Sequence, residues 1–325
     1  MADGGDDIFV YMGGDQEVPF DITHAIIDPS VNTVRRRAFF YRRQLVSVIF
    51  HDGVEIIEEE AFCDCKSLSG RIKLVGVREI GYSAFICCTA LSDVEFGDRL
   101  ETIGHSAFQS CKSLRSIKMP SVRTVQRAAF IHCEQLTDVE FGRDLESIGS
   151  YSFYKSHLQR ITIPLKDGLF PFDIITQRYG QFGSCVNLTT VDLVGAEGVH
   201  KIISSLLMES WKNDMNEEID RIKQGLPGIH AEEKTNAIRQ WVISVINRME
   251  HYKAEHNRLL KEHITQLELA IWKTRLDAEE EDGNLTLEVQ SNKANTDTDC
   301  VRKGKHITSG ADTIIKNVLP FLKLA

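Results

Sequence analysis

The stretch "ETIGHSAFQSCKSLRSIKM", residues 101–119, sets an aliphatic residue, three intervening residues and a small-Phe pair, then Cys, Leu and Ile at fixed intervals. Its neighbours repeat it: "REIGYSAFICCTALSDVEF" stands at 78–96 and "RTVQRAAFIHCEQLTDVEF" at 123–141. In register, Phe39, Phe62, Phe85, Phe108, Phe130, Phe153 and Phe182 are separated by 23, 23, 23, 22, 23 and 29 residues. One such unit cannot bury its own apolar face, whereas stacked units bury a continuous core.

Each unit resolves into parts. In "LSDVEF" (91–96), Val94 and Phe96 alternate with Glu95, the period of a half-buried strand. Gly104 punctuates the chain before the phenylalanine, and Ser106 to Cys111 has room for about one helical turn. The fold class expected is α+β: a solenoid with a strand and a short helical turn per repeat, then an α-helical hairpin or coiled-coil region.

Departures from the pattern mark the ends of the array. Arg42 replaces the cysteine in the first unit and Ser156 replaces it in the sixth. The sixth unit is one residue short between Phe153 and Leu158, and the second is one long between Leu68 and Ile72. "PLKDGLFPFDIITQRYGQ" (164–181) interrupts the array before Phe182 and predicts a bulging loop.

Stacked strands lie about 4.8 Å apart, so equivalent residues form columns. One column reads Ile49, Lys73, Glu95, Lys118, Glu140, Thr162, Asp192; the next reads Ser47, Arg71, Asp93, Ser116, Asp138, Arg160, Thr190. The sign alternates through the middle of the first, and opposite charges again stand adjacent in the second. They stabilise neighbouring strands and also present a face of mixed sign. The candidate partner-binding residues are therefore Lys73, Asp93, Glu95, Lys118, Asp138, Glu140 and Arg160. Lys118 is expected to face both Glu95 and Glu140.

Eight cysteines are present, and Cys65, Cys88, Cys111, Cys133 and Cys185 share one repeat position. A zinc site needs about four ligands converging on one point. Here the cysteines fall one per repeat in a line. Small and apolar, they suit a packing ladder inside the turn, and a core ladder offers no basic group to activate a thiol. No metal and no cofactor is expected. His251, His256 and His263 lack the spacing of a zinc helix and read as polar or seam residues.

The net charge is −9, and neither half of the chain is basic, with 20 Lys and Arg against 27 Asp and Glu over residues 1–198. Nucleic-acid binding through a basic face is not expected. One local exception, Arg35, Arg36, Arg37, Arg42 and Arg43, supports an alternative reading as a nuclear, chromatin or nucleic-acid-associated adaptor. No apolar run reaches the roughly 18 residues of a membrane helix. The acidic start, "MADGGDDIFVYMGGDQ", lacks a secretory leader, so an intracellular and cytoplasmic rather than nuclear setting is expected. There is no P-loop, dinucleotide turn or nucleophile elbow, and an enzyme is not expected.

From about Val199 the period changes to a helical one. The stripe Ile203, Leu206, Leu207, Trp211, Met215, Ile219, Ile222 and Leu226 ends at "GLPG". A second helix from about Ala231 to Asp277 carries Ile238, Val242, Val245, Met249, Tyr252, His256 and Leu259 in coiled-coil spacing. Such a helix needs a partner face, and self-association is one way to supply it. The division expected is a cap at 1–30, a solenoid of about seven repeats at 31–196 (irregular at 155–181), a long helical hairpin at 197–278, a disordered linker at 279–308 and a C-terminal helix at 309–325.

The small-Phe-x-x-Cys-x-x-Leu-x-x-Val/Ile cores resemble leucine-rich repeats of the BspA-like type. The resemblance covers residues 31–194 and implies a curved solenoid used for protein recognition through one strand face. The whole layout also resembles an algal group of proteins that join such repeats to "MEHYKAEHNRLLKEH" (249–263) and "ITSGADTIIKNVLPFLKL" (307–324). That likeness implies the architecture and no activity. The reading is a non-enzymatic scaffold that binds a protein partner through the strand face and uses the long helix for assembly.

Overall fold

The computed structural model describes residues 8–171, 180–194 and 208–283. Most of the expected linker, the C-terminal helix, the first residues of the expected hairpin and part of the 155–181 loop lie outside the described residues. The chain divides into two compact units, residues 1–203 with 210–249, and 204–209 with 250–325.

The first unit holds a parallel β-solenoid of two walls. One wall is built from β1 (Ile8–Tyr11), β2 (His24–Ile27), β4 (Ser47–Ile49), β6 (Gly70–Leu74), β8 (Leu91–Phe96), β10 (Ser116–Met119), β12 (Asp138–Phe141), β14 (Arg160–Pro164) and β15 (Thr190–Val194). They pair in sequence as β1-β2-β4, β6-β8 and β10-β12-β14-β15. The other wall is one continuous ladder of two-residue strands: β3 (Thr33–Val34), β5 (Ile56–Ile57), β7 (Glu79–Ile80), β9 (Thr102–Ile103), β11 (Thr124–Val125) and β13 (Ser147–Ile148). The ladder between β6 and β8 shifts register between Gly70 and Arg71, where Ser92 is passed over, and Gly70 takes φ +75°. Only glycine adopts that conformation without steric cost.

The core repeats with the sequence. The seven phenylalanines of the register are all fully buried. Their rings stack face on face at centroid distances of 4.8, 5.0, 5.2, 5.3, 5.6 and 5.9 Å along the chain. Parallel to them run buried columns of leucine, from Leu45 to Leu188, and of Val34, Ile57, Ile80, Ile103, Val125 and Ile148.

The segment that holds each phenylalanine is a ribbon of tight turns. Residues two before and two after Phe39, Phe62, Phe85, Phe108, Phe130 and Phe153 all take positive φ, between 52° and 61°, and none is glycine. The left-handed residues flanking each phenylalanine turn every second N–H toward the next repeat. Ser106, Phe108 and Ser110 thus donate to the carbonyls of Arg127, Ala129 and Ile131 at 3.1, 2.8 and 2.9 Å. A helical turn would have satisfied those groups internally. The inter-repeat bonds offset a left-handed strain of about 1 kcal/mol or more per residue.

Both ends of the array are closed. Tyr11 packs on Phe39 at 5.2 Å. Arg42, which stands where later repeats have cysteine, donates to Phe40 O at 2.6 Å and to Val18 O at 2.9 Å. At the far end the closure comes from the helical region. Helix α1 (Glu209–Gly225) is followed by a 3-10 turn over Leu226–Gly228 that contains Pro227, and then by α2 (Lys234–Gly283). Thr235 Oγ1 accepts the Phe182 N–H at 3.0 Å, the bond that a following repeat would otherwise supply. Lys234 Nζ donates to the carbonyls of Val186 and Leu188 at 2.9 and 2.6 Å. Helix α2 is described as far as Gly283, five residues beyond the expected end at 278, because "AEEED" is largely helix-compatible.

Candidate recognition face

The long-strand wall turns its apolar residues inward and the residues between them outward, as period-2 geometry requires. Ile72, Val94, Ile117, Val139 and Ile161 are buried, while Lys73, Lys118, Asp138, Glu140 and Arg160 are exposed and Asp93 and Glu95 half-buried. The ladder pairs Lys73 with Glu95, Lys118 with Glu140, Ser116 with Asp138, and Asp138 with Arg160.

Side chains choose among these neighbours. Lys118 meets Glu140 at 2.9 Å. Arg71 reaches both Asp93 at 3.5 Å and Glu95 at 3.0 Å. Glu95 therefore pairs with Arg71 rather than Lys118, in line with the absence of a ladder between β8 and β10 among the described residues. Arg160 donates to Asp192 at 2.6 Å and leaves Asp138. Among the described residues, Lys73 and Asp138 form no ion pair. Exposed pairs of this kind contribute little to stability.

A second charged column escaped the sequence reading. Glu55, Arg78, Glu101, Arg123 and Glu146 stand just before the short strands and alternate in sign. Arg78 meets Glu101 at 3.2 Å, and the Arg123 guanidinium donates to Glu146. That contact raises the Arg123 pKa and holds the Glu146 carboxyl below its ordinary value. With Asp98, Arg99, Arg143, Asp144 and Lys166 the column lines an open groove of about 670 Å³. The 22–23-residue period was its visible signal, but no apolar residue anchors it in the repeat motif.

The cysteine column is not a reactive centre. Cys65, Cys88, Cys111, Cys133 and Cys185 donate to the carbonyls of Phe39, Phe62, Phe85, Phe108 and Phe153 at 2.9–3.2 Å. Burial pushes the Cys65 thiol up to about 12 and the Cys185 thiol to about 11, far from a nucleophilic thiolate. No group of three or more metal-ligating side chains occurs among the described residues. Among those residues, no helix is long and apolar enough to cross a membrane.

The arginine patch is occupied. Arg35, Arg36 and Arg43 pair with Asp15, Glu59 and Asp64 at 3.3, 3.3 and 2.6 Å. Arg37 pairs with Glu60, and Arg42 serves backbone carbonyls.

A two-walled parallel solenoid with one Phe–Cys–Leu turn per repeat defines a leucine-rich repeat protein. The profile of the BspA type leucine rich repeat region matches residues 20–130 and 103–214, with six copies, and the chain belongs to that family. A search of curated proteins returned no match. Among solved structures, a leucine rich cell surface protein from Faecalibacterium prausnitzii is 25% identical with a TM-score of 0.42, over 58% of this chain and 48% of that one. The T. pallidum leucine rich repeat protein is 25% identical with a TM-score of 0.37, over 52% and 68%. A leucine-rich repeat protein from Bacteroides ovatus is 22% identical with a TM-score of 0.34, over 53% and 61%. The match thus spans about half the length of the Faecalibacterium protein.

Proposed function

We propose that this chain is a non-enzymatic scaffold that recognises a protein partner through the long-strand wall and uses helix α2 for assembly. Leucine-rich repeat proteins generally serve protein interaction, which supports the first part. The observation that carries it is the wall itself: an exposed array of fixed charges in which Lys73 and Asp138 are left without ion pairs among the described residues. A near-neutral mixture of signs suits a protein surface better than a polyanion. Arg35, Arg36, Arg37 and Arg43 each stand beside a carboxylate, which supports a protein partner over the nucleic-acid alternative. The reading places the chain in a reducing, cytoplasmic setting, where a column of thiols stays reduced.

The test is affinity capture by the full-length chain with mass spectrometry, repeated with Lys73, Glu95, Lys118 and Glu140 changed together. The variant should keep its circular dichroism and lose the captured protein. Full retention of binding would move the site off this face.

A further inference from the structure

Helix α2 changes character along its length. Within the first unit Ile238, Trp241, Val242 and Val245 are buried. In the second unit Leu267, Leu269, Ile271, Trp272 and Leu276 are exposed. The seam is also re-registered by one residue, from Tyr252–His256–Leu259 to Asn257, Leu260, Ile264, Leu267, Ile271 and Thr274. These six follow a 3,4 alternation with Leu and Ile in the middle and a polar residue at each end.

Deepening the assembly part of the proposed function, we propose that residues 257–274 pair antiparallel with the same segment of a second copy of this chain. Centred between Ile264 and Leu267, that alignment is self-complementary under a two-fold axis. Asn257 lies opposite the partner's Thr274, Leu260 opposite the partner's Ile271, and Ile264 opposite the partner's Leu267. Beside the seam, Lys261 lies opposite the partner's Glu268. Neither Lys261 nor Glu268 forms an ion pair within its own chain among the described residues, whereas Arg258 is held by Glu255 at 3.0 Å and Glu262 at 2.6 Å. A parallel pair keeps the apolar layers but sets Lys261 beside His256. Charge therefore selects the antiparallel sense. The seam spans about 27 Å at 1.5 Å per residue, so the dimer is a weak, concentration-dependent one.

The test is sedimentation equilibrium of the purified full chain between about 1 and 200 µM, with no other protein present. The wild type should approach twice the chain mass with rising concentration. Lys261→Glu should weaken the dimer at least tenfold by opposing Glu268, and Lys261→Glu with Glu268→Lys should restore it. Circular dichroism confirms that each variant is folded. A wild type that stays monomeric, including one whose own residues 284–325 cover the seam, overturns the proposal. So does a dimer indifferent to Lys261→Glu, or one that the double change leaves broken. None of these outcomes bears on the strand face, whose test is partner capture.

Discussion

The Cys111 thiol donates to the Phe85 carbonyl at 3.2 Å, one repeat back. That contact makes cysteine a linker between rungs as well as a filler of space. The Phe85 carbonyl also accepts the Cys88 N–H at 3.2 Å, so losing the thiol does not orphan it. Cys111→Ala should cost about 1–2 kcal/mol from the lost bond and the small void. Chemical denaturation measures this; an unchanged midpoint would mean that the thiol is inert in the stack.

Burial fixes the reactivity of the same column. At pH 8, iodoacetamide should leave Cys65, Cys88, Cys111, Cys133 and Cys185 unmodified until the chain unfolds, as peptide mapping would show. The pKa of Cys65 is raised from 9.0 to about 12. A group with a raised native pKa contributes stability that is intact below its unfolded pKa and is lost as pH rises through the native one. The denaturation midpoint should therefore fall between pH 9 and about 12, and less so in Cys65→Ala. Rapid labelling of the native column at pH 8 would contradict this.

The ring ladder carries more. Phe108 is fully buried between Phe85 at 5.2 Å and Phe130 at 5.3 Å. Phe108→Ala should cost about 3–5 kcal/mol, and Phe108→Leu about 1–2 kcal/mol. Thermal unfolding distinguishes the two; equal losses would assign the effect to the turn rather than to the ring.

The closure by α2 is equally exposed to test. Thr235→Val removes the acceptor of the Phe182 N–H and should cost about 1–3 kcal/mol, with Thr235→Ser close to wild type. A chain ending at residue 196 loses Lys234 and Thr235 and should aggregate or expose its last rung to hydrogen exchange. A truncated chain as protected as the full one would show that the helices are dispensable.

Much of this was legible in advance because a rung is local. The Phe, Cys and Leu columns follow from period alone. Other features were not legible. The left-handed pairs, such as Ser106 and Ser110, carry no glycine to mark them, since bonds to the next repeat hold them in place. Thr235 and Phe182 lie 53 residues apart, and no periodicity links a helix start to a repeat turn. Column order showed which charges are neighbours, but long side chains reach diagonally, so Arg71 rather than Lys118 takes Glu95.

A stack of identical rungs resembles a crystal growing along one axis: its last layer is a template for the next. The N–H of Phe182 is such a growth face, competent to receive another repeat from any chain that offers one. Thr235 and Lys234 passivate it with side chains that no further rung can displace without unfolding the helix start. The cap thus ends the stacking rather than the sequence, and a variant freed of it would have the means to polymerise end to end.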